Sequence, residues 1–156
     1  MNEQEIHHLL YDIPENVDYT DIPQELDLED VSKERVDKLR DLLHSDDLAV
    51  RFDAALLLTN WGVEDGLNTL IDLFEKGETK GFIPHHLHPY DDTNKHILDA
   101  LIGYWASQTD LHKEQEARKR IYPTIISIIK QAVHSSYSIA QIGFLIKKDL
   151  DIHKEV

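Results

Sequence analysis

An all-α fold is predicted by three observations. Apolar residues recur three and four positions apart through most of the chain, and strict period-two alternation never persists. Capping serines and glycine stops stand beside the periodic runs. At 156 residues the chain is the size of one domain able to bury a core without staples, so 1–156 is expected as a single helical domain.

Glu3 to Tyr11 is expected as a short helix with Ile6, Leu9 and Leu10 on one side. From Asp12 to Asp30, Pro14 and Pro23 interrupt the chain among scattered Ile13, Val17, Tyr19, Ile22, Leu26 and Leu28. That pattern predicts a turn-rich segment held down by apolar anchors. Ser32 can cap the next helix, whose Val36, Leu39, Leu42 and Leu43 keep helical spacing to about His44. Ser45 is expected to cap a helix through Trp61, with Asp46 and Asp47 favouring its positive end. Leu48, Phe52, Ala55 and Thr59 form one stripe there, and Ala54, Leu57, Leu58 and Trp61 a second, so this helix should pack between neighbours. Gly62 ends it, and Leu67, Leu70, Ile71 and Phe74 mark a partner helix from Val63 to Lys76, together an antiparallel hairpin.

Gly77 to Asp92 is expected as a long loop, and Thr93 or Asn94 opens a helix bearing Ile97, Leu98, Leu101, Ile102 and Trp105. Asp110 to Arg120 should be helical and exposed, with Pro123 either kinking that helix or starting another. Ile125, Ile126, Ile128, Ile129, Ala132 and Val133 form the next buried face. Ser135 or Ser136 caps a last helix through Lys148, with Ile139, Ile142, Leu145 and Ile146 inward.

Charge is the most uneven property of the chain. Fifteen acidic residues against four basic ones lie before Leu48, a formal −11, while the other 109 residues carry fifteen acids and twelve bases. From Asp12 to Asp30 there is no Lys or Arg at all. Such a field attracts a basic partner and repels nucleic acid phosphate and anionic lipid. The absence of cysteine removes disulfides, thiolate metal sites and cysteine nucleophiles together. Neither a secretory start nor an apolar run of about 18–20 residues is visible, so a cytoplasmic setting is expected. No Gly-rich phosphate loop, nucleophile elbow or HExxH motif occurs, and the chain is not expected to be an enzyme.

Between Asp47 and Phe74, Val50-Arg51, Ala54-Ala55, Leu58, Trp61-Gly62, Gly66, Leu70 and Leu73 resemble a HEAT-type repeat of the short, phycobilisome-lyase-like variety. Paired small residues let helices approach, glycines turn the hairpin, and leucines fill the gap between stacked pairs. The resemblance covers about 28 residues. It implies a short, irregular α-solenoid of some five to seven helices and a binding scaffold rather than an enzyme. Arg51 is expected to pair with Asp47 or with an acid on a neighbouring unit.

In size, charge and architecture the chain also resembles bacterial immunity proteins, including those of contact-dependent growth inhibition systems. That resemblance carries no motif. It implies direct neutralisation of a cognate toxin, and a nuclease, whose cleft is basic because it holds phosphate, suits an acidic inhibitor. The expected contacts are Asp12, Glu15, Asp18, Tyr19, Asp21, Glu25, Asp27, Glu29 and Asp30, with aromatic and apolar side chains interleaved among the carboxylates.

A second set lies in Pro84 to Asp92, where His85, His86, His88, Tyr90, Asp91 and Asp92 crowd together, with His96 beyond. Imidazoles and carboxylates could bind zinc, but the spacing follows no established metal signature, so a recognition loop is the expectation and no metal or cofactor is assigned. A HEAT-like adaptor binding a partner that is not a toxin is the alternative.

Overall fold

The computed structural model describes residues 1–83 and 92–132, and among these every regular element is helical. The elements are α1 (Glu3–Tyr11), two single 3-10 turns at Pro23–Glu25 and Leu28–Asp30, α2 (Lys33–Leu42), α3 (Leu48–Asn60), α4 (Glu64–Glu75), α5 (Thr93–Asp110) and α6 (Glu114–Ala132). The all-α expectation holds. The helix foreseen at residues 135–148 and the cluster at residues 84–91 lie outside the described residues.

Helix α3 is the centre because its sequence is apolar on more than one side. Phe52 and every residue from Ala54 to Thr59 are buried. It therefore packs against α1, α2, α4, α5 and the first 3-10 turn together. Thr59 is buried without penalty because its hydroxyl donates to the Ala55 carbonyl at 2.6 Å. Helix α4 presents Leu67, Leu70, Ile71, Leu73 and Phe74. Gly66, also buried, stands so close to Leu58 and to the backbone of α3 that only glycine fits without displacement. Ala54 and Ala55, both fully buried, supply the small side chains on the α3 side.

The hairpin between α3 and α4 turns at Gly62, whose φ of +85° is the left-handed region that disfavours a side chain. The Val63 N–H reaches back to the Leu58 carbonyl at 2.9 Å and satisfies a helix-end acceptor. At the end of α5 the same closure, Lys113 N–H to the Gln108 carbonyl at 2.9 Å, is made with His112 at φ 59°, where glycine is the usual residue.

Several boundaries differ from expectation. Ser32 does cap α2, accepting from Arg35 N–H at 3.2 Å. Ser45 does not cap α3: the cap is Asp47, accepting from Ala49 and Val50 N–H at 3.0 and 3.4 Å, while Ser45 accepts from Asp47 N–H and shapes the preceding turn. A carboxylate two positions nearer the helix satisfies two orphan amides and adds favourable charge at the positive terminus. Arg51 makes no ion pair with Asp47, and its Nε is buried without a partner. The exposed polar helix from Asp110 to Arg120 is divided: α5 continues to Asp110, and α6 begins at Glu114. Pro123 starts nothing, since α6 runs through it.

Candidate functional site

The acidic segment leaves α1 at Asp12, whose carboxylate meets His8 Nδ1 at 2.9 Å. Ile13 and Val17 lean half-buried on the core, and Pro23, Leu26 and Val31 are buried outright. These apolar anchors alternate with acids, so docking the backbone turns the carboxylates outward. The segment is consequently folded and fixed, not a loose tail.

Two polar ties hold its shape. The Tyr19 hydroxyl donates to Asp30 Oδ2 at 2.8 Å and accepts the Asp27 N–H at 2.9 Å, closing a loop between residues eleven positions apart. The Asp27 N–H bond opposes the rise of the Tyr19 pKa, but partial desolvation and the Asp30 and Asp27 charges outweigh it, and the phenol titrates above its usual range. The buried Trp61 indole N–H donates to the Pro23 carbonyl at 2.8 Å, tying the first 3-10 turn to the end of α3. The Arg35 guanidinium lies 5.4 Å from the Trp61 ring centroid and donates through Nε to the Leu9 carbonyl at 2.9 Å. Desolvation lowers the Arg35 pKa against the pull of Asp12. Arg35 thus joins α1, α2 and Trp61 beneath the acidic segment.

The carboxylates above have no cationic partner among the described residues. Among the described residues, ion pairs join His8 to Asp12, Lys38 to Glu34, Arg40 to Asp37 and Asp65, and Lys76 to Asp72, but none engages Glu15, Asp18, Asp21, Glu25, Asp27, Glu29 or Asp30. Glu25 accepts from Thr20 Oγ1 at 2.9 Å and Asp30 from Tyr19, both neutral donors. One oxygen each from Asp27, Glu29 and Asp30 lie within 4.8 Å of one another, a spacing that a hard cation could bridge. All three side chains face solvent at least in part, and Asp30 is already engaged by Tyr19.

Of the second expected contact set, Asp92 alone lies among the described residues. The acidic segment sits beside the last turn of α5, forming a groove with Asn60, Gly62, Ser107 and Leu111. Asp92 stands at the other end of that 18-residue helix, about 27 Å away at 1.5 Å per residue. There Asp92 N–H donates to the Ile83 carbonyl at 2.7 Å and Ile83 N–H to Thr93 Oγ1 at 2.9 Å, so the two ends that carry residues 84–91 are drawn together. His85, His86, His88, Tyr90 and Asp91 lie outside the described residues.

Sequence reasoning missed Pro23, Trp61 and Arg35 as the tie beneath the acids, and Asp110 and Leu111 as neighbours of the segment. A lone Leu111 among Asp110, His112 and Lys113 was the only local signal for the latter pair. Comparison with protein-family models, curated proteins and solved structures finds no match in any of the three. No helix among the described residues is long and apolar enough to cross a membrane.

Proposed function

We propose that the protein is a binding module for a basic protein partner, its role the neutralisation of a cognate toxin, for which a nuclease with its basic cleft fits best. The observation that carries this reading is the set of seven carboxylates from Glu15 to Asp30 with no cationic partner among the described residues, displayed on a segment fixed by Tyr19 and Trp61. Solubility alone needs charge but not its fixation. A rigid array reduces the ordering cost of association, and its field speeds encounter with a cationic cleft. The immunity-protein role rests on the resemblance in size, charge and helical architecture.

The test is binding of the neighbouring gene's product, followed by kinetics at two salt concentrations. Association should slow markedly as the Debye length falls from about 30 Å at 0.01 M to about 8 Å at 0.15 M. Replacing Asp27, Glu29 and Asp30 by Asn or Gln should chiefly lower the on-rate for rim contacts and raise the off-rate for buried ones. Kinetics indifferent to both salt and the triple substitution would remove the electrostatic basis. The alternative, a HEAT-like adaptor, draws on the close α3/α4 hairpin with its Gly66 and paired alanines. A neighbouring product that neither binds nor is toxic would favour it.

A further inference from the structure

The groove between the second 3-10 turn and the end of α5 combines carboxylates with exposed leucines. Its walls carry Glu25, Asp27 and Glu29 on one side and Asp110 on the other, and among the described residues no Lys or Arg lines it. Leu28 and Leu111, on opposite walls, are 42% and 60% exposed. Isolated exposed leucines are ordinary. Two that flank one groove of about 740 Å³ amid four carboxylates define a mixed surface, large enough for several side chains. Gly62 and Gly103 along it let the end of α3 and α5 approach closely, since a side chain at either would press on Ser107 or Asn60.

A further acceptor waits inside. Gln108 is 8% exposed and lines the groove, with its Nε2 donating to the Gly62 carbonyl at 3.2 Å. Among the described residues none donates a hydrogen bond to its amide oxygen. That oxygen stays within reach of solvent and of a donor that enters the groove. Arg35, against Trp61, donates through Nε to Leu9 and does not line the groove.

We infer that this groove receives a segment of the basic partner in which arginine and aliphatic side chains alternate, the aliphatic groups seating on Leu28 and Leu111 and the guanidinium among Glu25, Glu29, Asp110 and the Gln108 oxygen. Arginine fits better than lysine because its planar fork can serve carboxylate and amide acceptors together and is less strongly hydrated. The inference rests on the basic-partner reading and assigns it a place: the contact is made at the α5 end and not by the acidic segment alone.

Two blocked hexapeptides separate the inference from that reading, one alternating Leu and Arg, the other all Lys, titrated into the isotopically labelled full chain at low salt. The Leu/Arg peptide should shift the amides of Leu28, Gly103, Gln108 and Leu111. The Leu28→Ser/Leu111→Ser variant should weaken it at least fivefold and leave the all-Lys peptide unaffected. Glu29→Gln/Asp110→Asn, confined to exposed side chains, should weaken the Leu/Arg peptide as well and guards against loss of fold in the first variant. Equal binding of both peptides, with shifts confined to Glu15–Asp30 or with both variants neutral, overturns the groove and leaves the acidic-face reading standing. Binding of neither peptide overturns both.

Discussion

Replacing Trp61 by Phe isolates the tie between the acidic segment and the helical core. Phenylalanine keeps the packing of one ring and removes the indole N–H that donates to Pro23. The Pro23 carbonyl is not orphaned, since it also accepts Leu26 N–H at 3.1 Å. The hydrogen-bond term is therefore the modest net value of about 0.5–1.5 kcal/mol, not the full cost of an unsatisfied buried acceptor. Trp61 is only 2% exposed, so the smaller ring leaves a void; about 40 Å³ at about 24 cal/mol per Å³ adds roughly 1 kcal/mol. Arg35 loses part of its stacking on the larger ring, about 0.5 kcal/mol for a partly exposed pair. Together these give about 2–3 kcal/mol. Urea unfolding followed by Trp105, the remaining tryptophan, measures the loss, and hydrogen exchange at Leu26 and Asp27 reports whether the segment opens before the core. A variant as stable as the parent, with unchanged protection at Leu26, would refute the role of Trp61 as the tie.

Gly66→Ala gains roughly 1 kcal/mol of helix propensity, but its methyl would press on Leu58 and stand 3.0 Å from Thr59 N and 3.1 Å from the Ala55 carbonyl oxygen. Backbone atoms of α3 cannot give way as a side chain can, so a net loss of about 1–2 kcal/mol is expected in thermal unfolding, and a gain would contradict the close approach. Pro123→Ala should stabilise by up to about 3 kcal/mol, because the ring interrupts α6 from an exposed position and contributes little packing; a less stable variant would refute this. The Asp53 carboxyl is raised above its usual range by desolvation and then by Asp47. Its folded form holds the proton more tightly than the unfolded chain, so its contribution falls as pH rises from the ordinary carboxylate range through the raised value. Asp53→Asn should therefore be the more stable protein at pH 7, with the advantage fading below about pH 4; a variant less stable at pH 7 would show Asp53 to be stabilising.

The helices were legible where one side chain's neighbour is fixed by helical spacing. Phe52, Ala55 and Thr59 declare a buried stripe by their spacing, as do Leu67, Leu70, Ile71 and Phe74. Helix ends depend on local competition that spacing does not register: Asp47 displaces Ser45 as cap, and α6 passes through Pro123 because packing of Ile121, Thr124, Ile125 and Ile128 outweighs a missing N–H. The acidic segment was legible as a place but not as a shape. Tyr19 and Asp30 are eleven residues apart and Pro23 and Trp61 thirty-eight, separations to which no local rule of turn or helix applies. The groove was harder still, since Leu28 and Leu111 come to face one groove only through the stacking of α3 and α5.

Holding seven carboxylates on one loop, with no cationic partner among the described residues, has a consequence for the unbound protein. Each repels the others across distances that water and salt only partly shield, so folding works against a mutual repulsion that the extended chain dilutes. Added salt should then raise the melting temperature of the free protein while it slows capture of a cationic partner. The two salt dependences have opposite signs and one origin. A bound partner relieves that repulsion as well as adding contacts, so the melting temperature it confers should rise most where ionic strength is lowest.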